Sequence, residues 1–284
     1  MSEEDNSFEA VDTSEGKKSS SCASCGIAEI DDIKLKDCDG CDLVRYCSDE
    51  CRINHKSEHA EDCRERAAAL REELLFRQPE GTHHGDCPIC SLPLPLDRPS
   101  GLSTCCNKTI CLGCVHANQN REKEMRLQPS CPFCRKPSPH TDKEIEKRMK
   151  KRIEANDPFA LCHEGVNNYI KGYYSRSFAH FTKAAGLGNV EAHFKLSMMY
   201  RAGEGVEENW RKGMYHLEEA AIRGHPRARC HLGCVENDND NVERAVKHWI
   251  IAATQGDDES IKALMDMFRR GLIIDRERID QSRL

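Results

Sequence analysis

The chain has 284 residues, enough for two or three domains, but only 38% are hydrophobic and 32% are charged, which excludes one large core and favours several small modules. The net charge of −6 and a pI of about 6.1 argue against non-specific affinity for nucleic acid over the whole surface. No apolar run approaches the roughly 18 residues that a bilayer-spanning helix needs, and the polar, acidic stretch Met1–Ser21 holds no apolar core of a secretory signal.

A soluble intracellular protein, cytoplasmic or nuclear, is therefore expected. In that compartment thiols stay reduced, so the 18 cysteines point to metal ligation rather than disulfides. Seven of them fall in residues 22–63 and eight in residues 87–134. The other three, Cys162, Cys230 and Cys234, stand in Ala-rich helical sequence and read as buried thiols.

In chain order, residues 1–21 are rich in Ser, Glu and Lys and are expected to be disordered. The first cluster follows as Cys22-x2-Cys25, Cys38-x2-Cys41, Cys47-x3-Cys51 and His59-x3-Cys63. Seven thiols and one imidazole suffice for two four-coordinate zinc ions. So short a segment cannot bury enough apolar surface alone, and metal would supply its folding energy. Strong helix formers from Arg64 to Gln78 predict a helical linker over 64–86, broken by Pro79, Gly81 and Gly85. The second cluster is Cys87-x2-Cys90, Cys105-Cys106, Cys111-x2-Cys114 and Cys131-x2-Cys134, eight ligands for two more zinc ions. A charged helix is predicted from about Thr141 to Glu154, capped by Thr141 or Asp142, within a linker 136–156. Its run Lys147-Arg-Met-Lys-Lys-Arg152 reads as a solvated face balanced by Asp142, Glu144, Glu146 and Glu154, with a nuclear-import or nucleic-acid patch as the alternative.

Residues 157–284 repeat. Ala184-Ala185 with Gly188 recurs as Ala220-Ala221 with Gly224 and as Ala252-Ala253 with Gly256, at intervals of 36 and 32 residues. A period of that length is one helical pair that must stack on its neighbours to bury its apolar face. Leu196, Tyr200, Leu217, Leu232, Trp249, Leu264 and Phe268 are the expected core, and each Gly is expected to end the second helix of its unit.

Residues 22–63, with Tyr46-Cys47 and His55, resemble a MYND finger. The resemblance implies interleaved sites, with Cys22, Cys25, Cys47 and Cys51 on one zinc and Cys38, Cys41, His59 and Cys63 on the other. It makes His55 a packing residue. Arg52 and Lys56 stand where the family often has Gln and Trp, which weakens the inference that this finger grips proline-rich peptides. Residues 87–135, opening on Cys-Pro-Ile-Cys and closing on Cys-Pro-Phe-Cys-Arg, resemble a RING finger. That resemblance implies a cross-brace, Cys87, Cys90, Cys111 and Cys114 on one zinc and Cys106, Cys131 and Cys134 on the other, with Cys105 as fourth ligand. Lys108 occupies the place of a common ligand histidine and cannot ligate, and His116 reads as a surface residue. The family's contacts with a ubiquitin-conjugating enzyme fall on Ile89, Pro132 and Arg135, although no Trp stands between Cys114 and Cys131. Residues 157–284 resemble Sel-1-like repeats, relatives of tetratricopeptide arrays, through Tyr200-Arg-Ala-Gly203-Glu-Gly205-Val206 and Leu217-Glu-Glu-Ala220-Ala221. The third unit has Asn237-Asp-Asn-Asp in place of the Gly-x-Gly turn, and such arrays imply protein partners on the concave face.

The fold class expected is thus small zinc-stabilised α+β modules followed by an all-α array of Sel-1-like, tetratricopeptide-like repeats. The function expected is a zinc-binding protein-interaction adaptor, either a RING-type ubiquitin ligase with no catalytic nucleophile of its own or a non-catalytic scaffold. Lysine methyltransfer is excluded, because the Asn-His-Ser/Cys motif of that class is absent.

Overall fold

The computed structural model describes residues 20–272 except 31–32, 97–100, 103 and 107, and for 101–102 only the backbone. The expectation of disorder over residues 1–21 therefore falls almost wholly outside the described residues. The chain divides into two units, one up to Leu74 and one from Leu75 onward.

The first unit is small and built on two-residue strands, β1 (Lys36–Asp37) and β2 (Arg45–Tyr46), paired antiparallel with Lys36 opposite Tyr46. Helix α1 (Asp49–His55) follows, with Ser48 accepting a hydrogen bond from the Cys51 amide as its N-cap. Helix α2 (Ala60–Phe76) starts four residues earlier than the predicted Arg64 and ends two residues before Gln78. Glu61 and Asp62 favour the early start by complementing the helix dipole. Pro79 disfavours helical geometry at the residue before it, which fixes the early end. The apolar core is little more than Leu35 and Tyr46 around Cys22.

The second unit begins with a second strand pair, β3 (Gly101–Leu102) against β4 (Thr109–Ile110), and helix α3 (Leu112–Glu124). Helix α4 (Asp142–Glu154) is capped by Thr141, which accepts from the Glu144 amide. Its basic run is not one solvated face. Arg148 binds Glu144 (2.7 Å) and the Pro137 carbonyl, whereas Arg152 reaches Asp157 (2.7 Å) and the Thr104 carbonyl. Met149 between them is buried, so the exposed cations are Lys147, Lys150 and Lys151.

The array consists of α5 (Pro158–Ile170), α6 (Tyr174–Gly186), α7 (Val190–Ala202), α8 (Trp210–Ile222), α9 (Pro226–Asp238), α10 (Val242–Thr254) and α11 (Asp258–Arg269). The Ala pairs lie on α6, α8 and α10, each buried at a crossing with the neighbouring helices. Gly188, Gly224 and Gly256 adopt positive φ after those helices, the left-handed stop expected of them. The next residue in each case, Asn189, His225 or Asp257, caps the following helix. Between α7 and α8 Gly205 (φ 73°) packs on the Tyr174 backbone, where a Cβ would collide. The third unit makes its turn differently: Asp240 itself takes φ 61°, which an Asp side chain tolerates better than most. Cys162 and Cys230 are buried as expected, but Cys234, one turn after Cys230, is exposed.

The segment that leads into this unit is bonded to the array. Leu75 packs with Phe194, Leu217 and Leu232. Arg229, 1% exposed, donates to the carbonyls of Leu75 and Ala221. Phe76 packs against His248 (4.6 Å between ring centres, planes tilted by 32°) under the Arg244 guanidinium. His248 is fully buried with neither ring nitrogen bonded, and desolvation, with Arg229 and Arg244 nearby, lowers its pKa to about 3. The unfolded chain therefore binds a proton between about pH 6.5 and 3 that the folded array does not. Stability is present above pH 6.5 and is lost as the pH falls through that window. From pH 7 to pH 5 this one group is expected to cost about 2 kcal/mol at 1.36 kcal/mol per pH unit. Both tryptophans of the chain, Trp210 and Trp249, lie in the array, so denaturation followed by their fluorescence reads it directly. The pH slope should flatten in His248→Leu; an unchanged slope would place the titration elsewhere.

Candidate metal centres

Three of the Cys-x2-Cys turns are the same backbone device. The Cys22 amide donates to Ile27 O and the Gly26 amide to Cys22 O; the pattern repeats as Cys87–Leu92 with Ser91–Cys87, and as Cys131–Lys136 with Arg135–Cys131, all at 2.8–2.9 Å. Each turn closes on a residue of positive φ, Gly26 (75°), Ser91 (55°) and Arg135 (61°). The tight turn aims both sulfurs and several amide hydrogens at one point. Those amides act on the first sulfur. Burial opposes ionisation of Cys22, but the Cys25 and Cys47 backbone N–H groups bring it down to about 6. Cys87 likewise reaches about 6 through the Cys111 and Cys90 amides against the effect of burial. Elsewhere crowding wins: Cys25 and Cys51 beside it push Cys47 up to about 12, and Cys111 does the same to Cys114. Four thiolates at one point repel, and a bound dication removes that conflict.

The sixteen predicted side chains gather into four groups, each with its ligand atoms within 4.8 Å of one another: Cys22, Cys25, Cys47 and Cys51; Cys38, Cys41, His59 and Cys63; Cys87, Cys90, Cys111 and Cys114; and Cys105, Cys106, Cys131 and Cys134. None of these cysteines is in a disulfide. The sulfurs of a tetrahedral zinc site with bonds of about 2.3 Å stand about 3.8 Å apart. The observed separations are 3.5 Å for Cys25–Cys47, 3.6 Å for Cys47–Cys51, 3.8 Å for Cys38–Cys63, 3.7 Å for Cys90–Cys111 and 3.7 Å for Cys106–Cys131. Cys105–Cys134 is shorter at 3.3 Å, and His59 Nε2 lies 3.1 Å from Cys41 Sγ. Soft thiolate with imidazole suits zinc, and the donor sets fit it.

Helices position the remaining donors. Cys47 and Cys51 flank the start of α1, and Cys111 is the N-cap of α3, its sulfur accepting from the Cys114 amide. His55 is not in any group; Tyr46 Oη lies 3.1 Å from its Nδ1 and its ring stacks on His59. Lys108 sits over the Phe133 ring, and His116 is exposed. Of the residues assigned to a conjugating enzyme, Ile89 is 45% exposed, Arg135 is exposed and Pro132 is half-buried, lining a cleft of about 300 Å³ with Val115, Asn118, Pro129 and Ile145.

Sequence reasoning missed Glu122. This buried carboxylate on α3 accepts from the Ser130 amide and hydroxyl and from Asn118, which ties the turn carrying Cys131 to α3. The Ser130 hydrogen bonds hold it below the usual carboxylate range. No pattern in the charged run Arg121–Glu124 singles it out.

Comparison with known families agrees in part with the resemblances. The MYND finger model matches residues 22–63, and the Sel1 repeat model matches residues 167–189, 190–225 and 232–257. Among solved structures, a Sel1 repeat protein from Oxalobacter formigenes is similar at 23% identity and a TM-score of 0.44, over 49% of this chain and 63% of that one. The protective antigen c5321 of uropathogenic Escherichia coli, which displays an SLR fold, is similar at 25% identity and a TM-score of 0.40, over 44% of this chain and 28% of that one. The chain thus spans less than two thirds of either protein. No described helix is long and apolar enough to cross a membrane. Residues 22–63 thus match the MYND finger model and three stretches of the helical array match the Sel1 repeat model, alongside cysteine-rich donor sets that fit zinc.

Proposed function

We propose that residues 87–135 are a RING finger, that the two cysteine-rich modules together bind four zinc ions through the sixteen side chains named above, and that the chain is a protein-interaction adaptor that promotes ubiquitin transfer. In this reading the Sel1 array and the MYND finger hold protein partners while the second module recruits a charged ubiquitin-conjugating enzyme. Transfer needs no nucleophile from this chain, because holding the two reactants in a reactive geometry supplies the acceleration. The observation that carries the reading is the interleaving of the second module. Its first and third cysteine pairs share one point and its second and fourth pairs share another, which leaves Ile89 displayed at the surface between the first two sulfurs.

The backbone at Arg135 offers a way to separate fold from function. Its φ of 61° costs an ordinary residue about 1 kcal/mol that glycine does not pay. Arg135→Gly should therefore keep or improve zinc retention while removing the guanidinium. Purified protein incubated with ubiquitin, activating enzyme, ATP and a panel of conjugating enzymes should form ubiquitin chains. Ile89→Ala and Arg135→Gly should each reduce the rate at least tenfold with zinc content unchanged. Absence of chains with every conjugating enzyme, from protein shown to be zinc-loaded, leaves a non-catalytic scaffold as the function.

A further inference from the structure

Residues 78–86 lie along the array and are held there mainly through their backbone. The His83 amide donates to Gly224 O (2.9 Å), Gln255 Nε2 donates to Gly81 O (2.8 Å), and Gln78 Nε2 donates to Thr254 Oγ1 (2.6 Å). The His83 ring then enters a column of rings, stacked on His225 at 4.3 Å between centres and 10° between planes, with Phe194 beyond it at 4.5 Å. Only 7% of the His83 side chain is exposed, and neither ring nitrogen has a hydrogen-bond partner. Burying two polar nitrogens with nothing bound to them is unfavourable, and such groups in a folded protein call for an occupant.

One of those nitrogens, Nε2, faces a carboxylate that His225 shares. His83 Nε2 lies 3.8 Å from Glu191 Oε2, and His225 Nε2 lies 2.9 Å from the same oxygen. The other oxygen, Oε1, is engaged by Lys195 at 3.0 Å. We propose that His83, Glu191 and His225 form a metal site, separate from the cysteine centres, that takes a zinc-class divalent ion and staples residues 81–86 to helices α7 and α9. Two imidazoles and one carboxylate suit zinc and its neighbours in the transition series, whereas calcium and magnesium require oxygen donors. Ligand bonds of about 2.0–2.1 Å in a tetrahedral site set donor atoms about 3.3 Å apart, and the two separations seen here straddle that value. Burial, helped by neighbouring His225, holds His83 neutral with a pKa lowered to about 3, the form that ligates. Glu191 is 36% exposed, which leaves one side of the site open to water as a fourth ligand.

Two adjustments accompany binding. The His83 and His225 planes are parallel, so one ion cannot lie in both; the His83 ring, with no hydrogen bond to break, turns. His225 Nδ1 accepts from the Ala228 amide at 3.2 Å, so its proton is on Nε2 and points to Glu191. Coordination at Nε2 moves that proton to Nδ1 and releases the cap on α9. The site is therefore weaker than the thiolate centres and binds after they are filled.

The test uses the full chain with its cysteine centres zinc-replete, titrated with zinc chloride in a calorimeter and checked by native mass spectrometry. Wild type should take one further zinc, and His83→Ala and Glu191→Gln should each weaken that step at least tenfold with the helical circular dichroism unchanged. Exchange of the Ala228 amide should accelerate on zinc addition in wild type alone. Equal zinc uptake by wild type and both variants overturns the site. None of these readouts depends on ubiquitin transfer.

Discussion

Stripping zinc with a strong chelator should unfold residues 22–63 and 87–135 while leaving the helices from α5 onward folded. The reason is the difference in core. In the first module the buried cluster is Leu35, Tyr46 and Cys22, and in the second it is Leu94 and Ile110 with Cys87 and Cys131. Cysteines make up much of both, and without an ion the crowded thiols oppose one another. A structural zinc contributes about 10–16 kcal/mol at neutral pH, which matches or exceeds the whole stability of a typical domain, about 5–15 kcal/mol. The array has three apolar clusters of its own, around Phe181, Leu217 and Trp249, and needs no metal to bury them. Amide exchange resolved by segment reads the two behaviours, with the fluorescence of Trp210 and Trp249 as the reporter of the array. Cys22→Ser and Cys87→Ser should each reproduce the loss in one module only. Retained exchange protection over 22–63 and 87–135 after complete metal removal would falsify the account.

A single Cβ should destabilise the array almost as visibly. At the α9–α10 crossing Gly233 lies under the Trp249 indole, and a Cβ there would stand 2.5–2.9 Å from three ring atoms. The α5–α6 crossing is built alike, Gly165 under Phe181, with a Cβ meeting that ring at 2.6–3.1 Å. Between them α7 places buried Ser197 at the corresponding position, close to Gly213 of α8. The ring cannot retreat, because Trp249 is 4% exposed and packed against Ala245, Leu264 and Met267. Overpacking of this kind costs about 1–3 kcal/mol, and the β-branched Gly233→Val should reach the top of that range. Gly186→Ala supplies the contrast: at the exposed end of α6 nothing lies within 4 Å of the added carbon, and the change should be neutral or stabilise by up to about 1 kcal/mol. Chemical denaturation followed by tryptophan fluorescence measures both. Equal midpoints for Gly233→Val and wild type would mean that the helices separate at that crossing at little cost.

These crossings show where reading the chain stopped short. The Ala pairs announced the repeat because they recur next to a terminating Gly at a nearly fixed interval. Gly165, Ser197 and Gly233 occupy the same place in their helices, yet they differ in type and stand alone, so no pattern joined them. Cys234 misled for a related reason: it stands one turn after buried Cys230 in α9, and helical context does not say how far along a helix face the burial runs. Arg148 and Arg152 looked like members of one basic surface, and only the folded chain shows Asp157 and the Thr104 carbonyl waiting on the inner side of α4.

What the sequence determined by itself is the local chemistry: thiols in closely spaced pairs, donors enough for zinc, and helices punctuated by Gly. Such signals are legible because each lies within a few residues, where chain geometry leaves few choices. Which pairs share a point, why Glu122 supports Cys131, and how His83 comes to lie against Glu191 and His225 were decided by tertiary structure. Those partners are brought together by packing between elements far apart in the chain, and burial, which gives an unbonded nitrogen or a lone carboxylate its meaning, exists only once the packing is complete.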